Sequence, residues 1–391
     1  MPRLAPTSAI ATAAVLVLAG CGSSSDDAGD PSAAEGTVTS MAATTSVEAP
    51  AASESGTSSG DAAETRATSV RSTVATGLNT PWSIVFLPDD SALVSERGGV
   101  IKRIAKNGRR ATTLARVPGV AEGGEGGLLG LAVSPTYAKD RLVYAYLTTA
   151  RDNRIVRFRL TASTRRIQPR TVVAGLDSAQ IHNGGRLAFG PDGKLYATVG
   201  DAGNTSASQD RGSQNGKILR MNPTGSVPSD NPIEGSRVFS LGHRNPQGLA
   251  FDRAGRLWAP EFGQNTFDEV NLVEKGKNYG WPEVEGRGDT DGGRYTNPQV
   301  TWSTSESSPS GAAIVGSTLY VAGLGGERLW TIPLRGKRAG KPTASLVGRY
   351  GRIRAVTAAP DGSLWIGTSN RDGRGDPRSG DDRILRLRVG G

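Results

Sequence analysis

The 391-residue chain has one cysteine and two histidines, and only 5% of its residues are aromatic. A single thiol, Cys21, excludes an internal disulfide and a cluster of thiolate metal ligands, and its place near the N-terminus excludes a cysteine nucleophile. Two imidazoles, His182 and His243, mean that few side chains ordinarily titrate near neutral pH. No long amphipathic helical pattern occurs, which excludes a helical bundle. The N-terminal apolar run, Ala9 to Leu18, is too short to span a bilayer as a mature helix. Basic runs are also missing. The net charge of +9 is spread over dispersed arginines, which argues against nucleic acid and favours small anionic ligands or an anionic envelope.

What is present divides into three parts. Residues 1–21 read as a signal peptide: Arg3, an apolar run, then Leu18-Ala19-Gly20-Cys21, the pattern of a bacterial lipobox with Cys21 as the lipidated residue. The expected location is extracytoplasmic, lipid-anchored to the outer face of the cell membrane. Residues 22–69 are Ala, Ser, Thr, Gly and acids, with little apolar surface to bury, and read as a disordered tether. A flexible coil of about 48 residues reaches about 40 Å. Residues 70–391 read as one folded domain.

That domain repeats. An apolar strand, a Pro/Asp/Gly turn and a second apolar strand recur six times, as in Leu187-Ala188-Phe189, Pro191-Asp192-Gly193, Leu195 to Val199, and again around Pro88-Asp89-Asp90, Ser134-Pro135, Ala254-Gly255, Gly316-Ser317 and Pro360-Asp361-Gly362. Third strands with basic residues follow, such as Val100 to Ile104 and Lys217 to Arg220. Thr73-Val74-Ala75 and Thr171-Val172-Val173 read as fourth, outer strands. Four-stranded units repeating at about 45–60 residues predict an all-β, six-bladed β-propeller.

Both histidines precede the first strand of a repeat, in Ile181-His182-Asn183-Gly184-Gly185-Arg186 and Gly242-His243-Arg244-Asn245-Pro246. This places both at one end of the central channel, aimed at its axis. His182 reads either as a base for a substrate hydroxyl or as a hydrogen-bonded structural residue. Arg244 and Asn245 offer a fork and an amide to a carboxylate or quinone-type oxygen, or pair with a neighbouring blade. Arg352 and Arg354 share one strand face and suit either an anionic ligand or solvent. Glu261 to Glu269 is rich in oxygen donors that suit calcium, or form a solvated acidic turn.

Residues from about Thr80 to Arg388 resemble the soluble PQQ-dependent glucose/sorbosone dehydrogenases, the aldose sugar dehydrogenases. The resemblance rests on Pro81-Trp82-Ser83, Glu125-Gly126-Gly127-Leu128-Leu129-Gly130, His182 to Gly190, Gly242 to Gly248, Glu269-Val270-Asn271-Leu272, Asn278-Tyr279-Gly280-Trp281-Pro282 and Arg352-Ile353-Arg354. It implies a sugar substrate, PQQ and Ca2+ at the channel mouth, and oxidation of an aldose C1 hydroxyl to a lactone. By the same resemblance, His182 is the general base and Arg244 polarises the quinone oxygen. Glu125, Arg244, Asn245, Arg352 and Arg354 are cofactor contacts, with Glu125 also near the sugar. The carbonyls of Gly263 and Gln264 hold the calcium at PQQ. Asp268, Glu269 and Tyr279 form a second, structural calcium site, and Trp302 walls the sugar. Ile181 stands where glucose-oxidising members carry Asp, Glu125 where they carry Gln, and the segment around Gly325 lacks their cofactor-binding Lys. A calcium-dependent propeller lactonase and a non-enzymatic carbohydrate- or protein-binding propeller are the alternatives. The electron acceptor is open, and a homodimer is compatible with the sequence.

Overall fold

The computed structural model describes residues 68–164 and 166–389. The signal peptide, Cys21 and nearly all of the tether read from the sequence lie outside them. Six antiparallel sheets form six blades. Blade 1 is Pro81–Phe86, Ala92–Glu96, Val100–Ile104 and Ala111–Arg116. Blade 2 is Leu128–Val133, Leu142–Thr148, Asn153–Arg159 and Arg170–Leu176. Blade 3 is Leu187–Phe189, Leu195–Val199, Lys217–Met221 and Val238–Leu241. In blade 4 the inner strand is split into Asn245–Pro246 and Ala250–Phe251, both pairing with Leu257–Phe262; Phe267–Val273 and Val300–Ser303 follow. Pro246 has no N–H to give to a ladder, which suits it to the break. Blade 5 runs Pro309–Val315, Thr318–Gly323 and Arg328–Arg335, with Arg338–Ala339 and Thr343–Ser345 as a divided outer strand.

Blade 6 closes the ring with both ends of the domain. Ile353–Ala358, Leu364–Thr368 and Ile384–Arg388 are joined by Ser69–Ala75 as the outer strand. Thr73 to Ala75 is thus an outer strand as expected. Ser69 is already paired with Arg388, so the propeller begins one residue before the boundary read from composition. Each blade touches the next in a closed ring, with Pro81–Phe86 against both Leu128–Val133 and Ile353–Ala358.

Strand-period patterning explains the packing. Along Leu142–Thr148, Val143, Ala145 and Leu147 join Leu93 and Ile101 of blade 1 in one buried cluster, while Tyr144 and Tyr146 join Leu187, Leu195 and Leu219 of blade 3 in another. Successive side chains point to opposite faces, and both faces of a blade are covered, so middle strands read as continuous apolar runs. The repeated turn text has a local cause. Asp89, Asp192, Asp252 and Asp361 each accept a backbone N–H two residues on, from Ser91, Lys194, Ala254 and Ser363.

One buried cation braces the connection beside the third blade. Lys217 is fully buried, and its ammonium donates to the carbonyls of Ala207, Ser208 and Asn215 at 2.5, 3.1 and 2.8 Å. Burial pushes its pKa down to about 8. Lys217→Met keeps the stem but strands three buried carbonyls. It should cost about 3 kcal/mol, read as a lower urea midpoint at unchanged m value.

Candidate active site

The inner strands of all blades begin at one end of the channel, so the segments preceding them gather there. His182 lies on the turn into Leu187–Phe189 with a left-handed backbone (φ 56°), followed by Gly184 at φ 62°. A side chain at Gly184 would stand 2.7 Å from the Gly200 nitrogen, so only glycine lets this turn press onto the neighbouring strand end. Gly184 N–H donates to Asn245 Oδ1 at 3.0 Å, tying blade 3 to blade 4.

The His182 ring is buried, with Nδ1 at 2.7 Å from Asp201 Oδ1. Asp201 also accepts Gly203 N–H at 2.8 Å and the Trp281 indole N–H at 2.9 Å. Burial pushes this carboxyl up, but the hydrogen bonds from His182, Gly203 and Trp281 outweigh it and hold it below the usual aspartate range. An ionised Asp201 fixes the proton on Nδ1 and leaves the Nε2 lone pair to accept a proton. Asp201 and Trp281 were missed from the sequence. Asp201 lies two residues beyond Leu195–Val199 and 19 residues after His182, and no local spacing marks the pair.

His243 does not share this role. It is fully buried, stacked on Tyr279, with Nε2 at 2.8 Å from Ser240 Oγ and Nδ1 at 2.8 Å from Glu261 Oε2. The expectation that both imidazoles aim at the channel axis is therefore corrected. Ser240, His243 and Glu261 have the order of a hydrolytic triad, but Ser240 has no exposed surface, so no substrate reaches it. Their work is to place the next residues. The Glu261 carboxylate accepts the backbone N–H of both Arg244 and Asn245. The Arg244 guanidinium lies 5.4 Å from the Trp281 ring centroid and donates to Gln264 Oε1.

The sequence-predicted pair Arg352 and Arg354 is buried and shares one acid. Asp372 Oδ2 receives Arg352 Nη2 at 3.0 Å and Arg354 Nη2 at 3.1 Å. Burial raises the Asp372 pKa, but the two guanidiniums outweigh it and hold the carboxyl below the aspartate range. Arg354 Nη1 also donates to Gln247 Oε1, and Gln247 O accepts from Arg186. Arg186 lies 4.0 Å from the Trp82 ring centroid, and its buried Nη2 has no hydrogen-bond partner among the described residues. Burial and the charge of Arg354 push Arg186 down to about 9, and burial pushes Arg354 down to about 10. The channel below the mouth is thus over-supplied with buried cations. Such a site suits a ligand with several carboxylates.

Glu125 is brought to the same place. Its Oε2 accepts His182 N–H at 3.0 Å and Asn245 Nδ2–H at 3.5 Å, and its Oε1 pairs with Arg374 Nη1 at 2.8 Å. Ile181, beside the base, is 40% exposed. At Gly325 a side chain would run into Ser308 Oγ at 2.6 Å, so the turn has no room for one without rearrangement.

The oxygen-rich loop is organised by a residue the sequence reading passed over. Glu285 Oε1 accepts the N–H groups of Gln264, Asn265, Thr266 and Phe267. Burial raises its pKa, and these four donors outweigh it. A Cβ on Gly263 would lie 1.8 Å from Phe267 O, so Gly263 is needed for the loop to close.

Two expectations need correction. Asp268 and Glu269 are neighbours in Phe267–Val273 and project to opposite faces. Asp268 accepts Gly263 and Ser308 N–H, and burial pushes it up to about 7. Glu269 instead lines a small cleft of about 10 Å³ with Glu261, Glu285 and Tyr279. Burial, then the charge of Glu261, pushes Glu269 up to about 8. The Tyr279 hydroxyl is taken by Leu272 O and Glu274 N–H. Asp268 therefore separates from Glu269 and Tyr279, which line the same small space with Glu261 and Glu285. Among the described residues no three His, Cys, Asp or Glu side chains meet at ligand distance, so a cation here needs carbonyl oxygens as well. Trp302 sits on the outermost strand of blade 4, stacked 5.0 Å from Trp330 and 5% exposed. It is a core residue between blades and does not wall the opening.

Comparison with known proteins agrees with this geometry. Residues 78–385 match the family model described as glucose/sorbosone dehydrogenase. The PQQ-bound structure of an aldose sugar dehydrogenase from Streptomyces coelicolor is 52% identical, with a TM-score of 0.81, and covers 83% of this chain and 98% of that one. An aldose sugar dehydrogenase of Escherichia coli is 30% identical over 331 residues, 76% of this chain and 89% of that protein. Quinoprotein glucose dehydrogenase B of Acinetobacter calcoaceticus is 35% identical over 260 residues, 57% of this chain. That match spans 54% of the Acinetobacter protein, about half its length.

Proposed function

The chain belongs to the glucose/sorbosone dehydrogenase family, and from that premise we propose that it is a PQQ- and calcium-dependent sugar dehydrogenase oxidising the C1 hydroxyl of an aldose. The observation that carries this reading is the His182–Asp201 pair at 2.7 Å beside a mouth where Arg352 and Arg354 share one acid and Arg186 keeps an unpartnered Nη2.

These residues fit the cofactor. Arg352, Arg354 and Asn245 would bind its carboxylates and oxygens, and Arg244, steadied by Gln264 and Trp281, would lie at the quinone. When bound, PQQ supplies the hydride acceptor. The chain supplies the rest. His182 Nε2 takes the C1 hydroxyl proton, and Asp201 holds the ring and stabilises the imidazolium. The sugar loses that proton and its C1 hydrogen, as hydride, and becomes the lactone. Buried arginines act as preorganised charge for the anionic ligand without reorganising during the reaction. Calcium would be held by the carbonyls of Gly263 and Gln264, and a second ion by Glu269 with neighbouring oxygens around the small cleft. The exposed Ile181 presents an apolar surface beside the base where glucose-oxidising relatives carry Asp, so a sugar less hydroxylated on that side is expected to be preferred over glucose.

A calcium-dependent lactonase would need several acidic or amide groups around a central metal, and the mouth instead gathers the buried cations Arg186, Arg352 and Arg354. The deciding experiment is titration of the calcium-loaded protein with PQQ, followed by a panel of aldoses. Saturable binding, then bleaching of the quinone absorbance by sugar, supports the reading. Lactone hydrolysis with no PQQ uptake overturns it.

We also propose that Cys21 is lipidated and that the enzyme is anchored outside the cell. The outer strand Ser69–Ala75 runs from the far end of the blades towards the mouth. A chain arriving from an anchor therefore joins the propeller on the side opposite the site. Cys21→Ser should shift the protein from the membrane fraction to the soluble fraction with its activity retained.

A further inference from the structure

We propose that Arg374 is a positioning residue that neutralises Glu125 across the channel mouth and so lets an anionic cofactor bind. This rests on the quinone reading above.

Glu125 is the carboxylate that touches the most segments of the mouth. It comes from the loop before blade 2, accepts from His182 N–H of blade 3 and the Asn245 amide of blade 4, and pairs with Arg374 from the Thr368–Arg383 connection of blade 6. Its side chain is 14% exposed. It is also near enough to Arg244 and Arg354 to favour their charged forms. A bare negative charge at this point would oppose the ligand for which those guanidiniums are gathered, and partial burial weakens the screening that would otherwise mute it.

Arg374 removes that opposition. Its guanidinium is 2.8 Å from Glu125 Oε1, and its own backbone N–H donates to Asp372 Oδ1 at 3.0 Å. The same Asp372 pairs with Arg352 and Arg354. The next residue, Gly375, packs so tightly on Arg352 that a Cβ would lie 2.6 Å from Arg352 Cδ. Arg374 is therefore held in register with the buried arginines. Its side chain is 55% exposed, and an ion pair that open contributes little to folding. Its value lies in the charge it places at the mouth. The pair Glu125–Arg374, joined across 249 residues, gives the net charge a neutral amide would give, while the carboxylate still orients His182 and Asn245.

The test is a double-mutant cycle on the full-length, calcium-loaded protein, with the PQQ dissociation constant read by absorbance titration. Arg374→Ala and Arg374→Gln should each weaken PQQ binding by about tenfold, and Arg374→Lys should stay near wild type. The loss should shrink as ionic strength rises. Glu125→Gln in the Arg374→Ala background should restore affinity to within about threefold of wild type, an effect a merely structural latch would not produce. Thermal unfolding of the Arg374 variants should match wild type, since the residue is exposed. Wild-type affinity in Arg374→Ala, or a loss that Glu125→Gln leaves unrelieved, overturns the inference while the cofactor reading stands. A wild-type protein that takes up no PQQ overturns both.

Discussion

Replacing His182 by alanine should lower kcat for sugar oxidation by about 10²–10⁴ while PQQ uptake stays close to wild type. The split follows from the geometry. The imidazole is oriented by Asp201 at 2.7 Å and makes no contact with the arginines that serve the carboxylates. Asp201→Asn should produce a loss in the same direction. An amide presents either a donor or an acceptor to Nδ1, so the tautomer is no longer fixed, and the imidazolium that forms loses its counter-charge. The measurement is steady-state turnover of the reconstituted enzyme with dissociation constants taken in parallel. Wild-type kcat in His182→Ala would remove the base from the mechanism, whatever the affinity.

The second large effect concerns stability. Asp372→Asn should destabilise the cofactor-free protein by about 3–5 kcal/mol, because it leaves Arg352 and Arg354 buried without their shared counter-ion. Excess PQQ should return part of that loss, since a ligand that binds only the folded protein adds RT ln(1 + [L]/Kd). Denaturant unfolding with and without PQQ checks both parts. The sign with pH is fixed as well. The folded carboxyl titrates below the ordinary aspartate value of 3.8. Its contribution is therefore fully present above that value and disappears as pH falls through the lower folded pKa. An Asp372→Asn variant whose stability matches wild type at neutral pH would show that the two guanidiniums are solvated.

Much of the architecture was legible in the chain because its causes are local. Asp89, Asp192, Asp252 and Asp361 cap their own turns two residues on, so each repeat announces itself. The middle strands alternate faces between two covered interfaces, so they read as short apolar runs. His182, Arg244, Asn245, Arg352 and Arg354 stood out because scarce or forked groups sit beside glycines at strand entries. The misreadings share one cause. The resemblance makes Trp302 a wall over the sugar, yet its radial position on the outermost strand buries it against Trp330. The resemblance makes Asp268 and Glu269 joint ligands, but a strand sends neighbours to opposite faces. His243 looked equivalent to His182, and only its burial against Tyr279 and Glu261 separates them.

The sequence by itself determined the repeat and the blade count, which follow from short-range turn and strand periodicity, and the family, which its motifs carry by resemblance. The tertiary structure decided the partners. Asp201 for His182, Asp372 for the arginine pair and Glu285 for the oxygen-rich loop are set by how each blade folds on itself, and Arg374 for Glu125 by ring closure. Closing six blades brings together Glu125 and Arg374, 249 residues apart, and no local spacing encodes which carboxylate will face which cation.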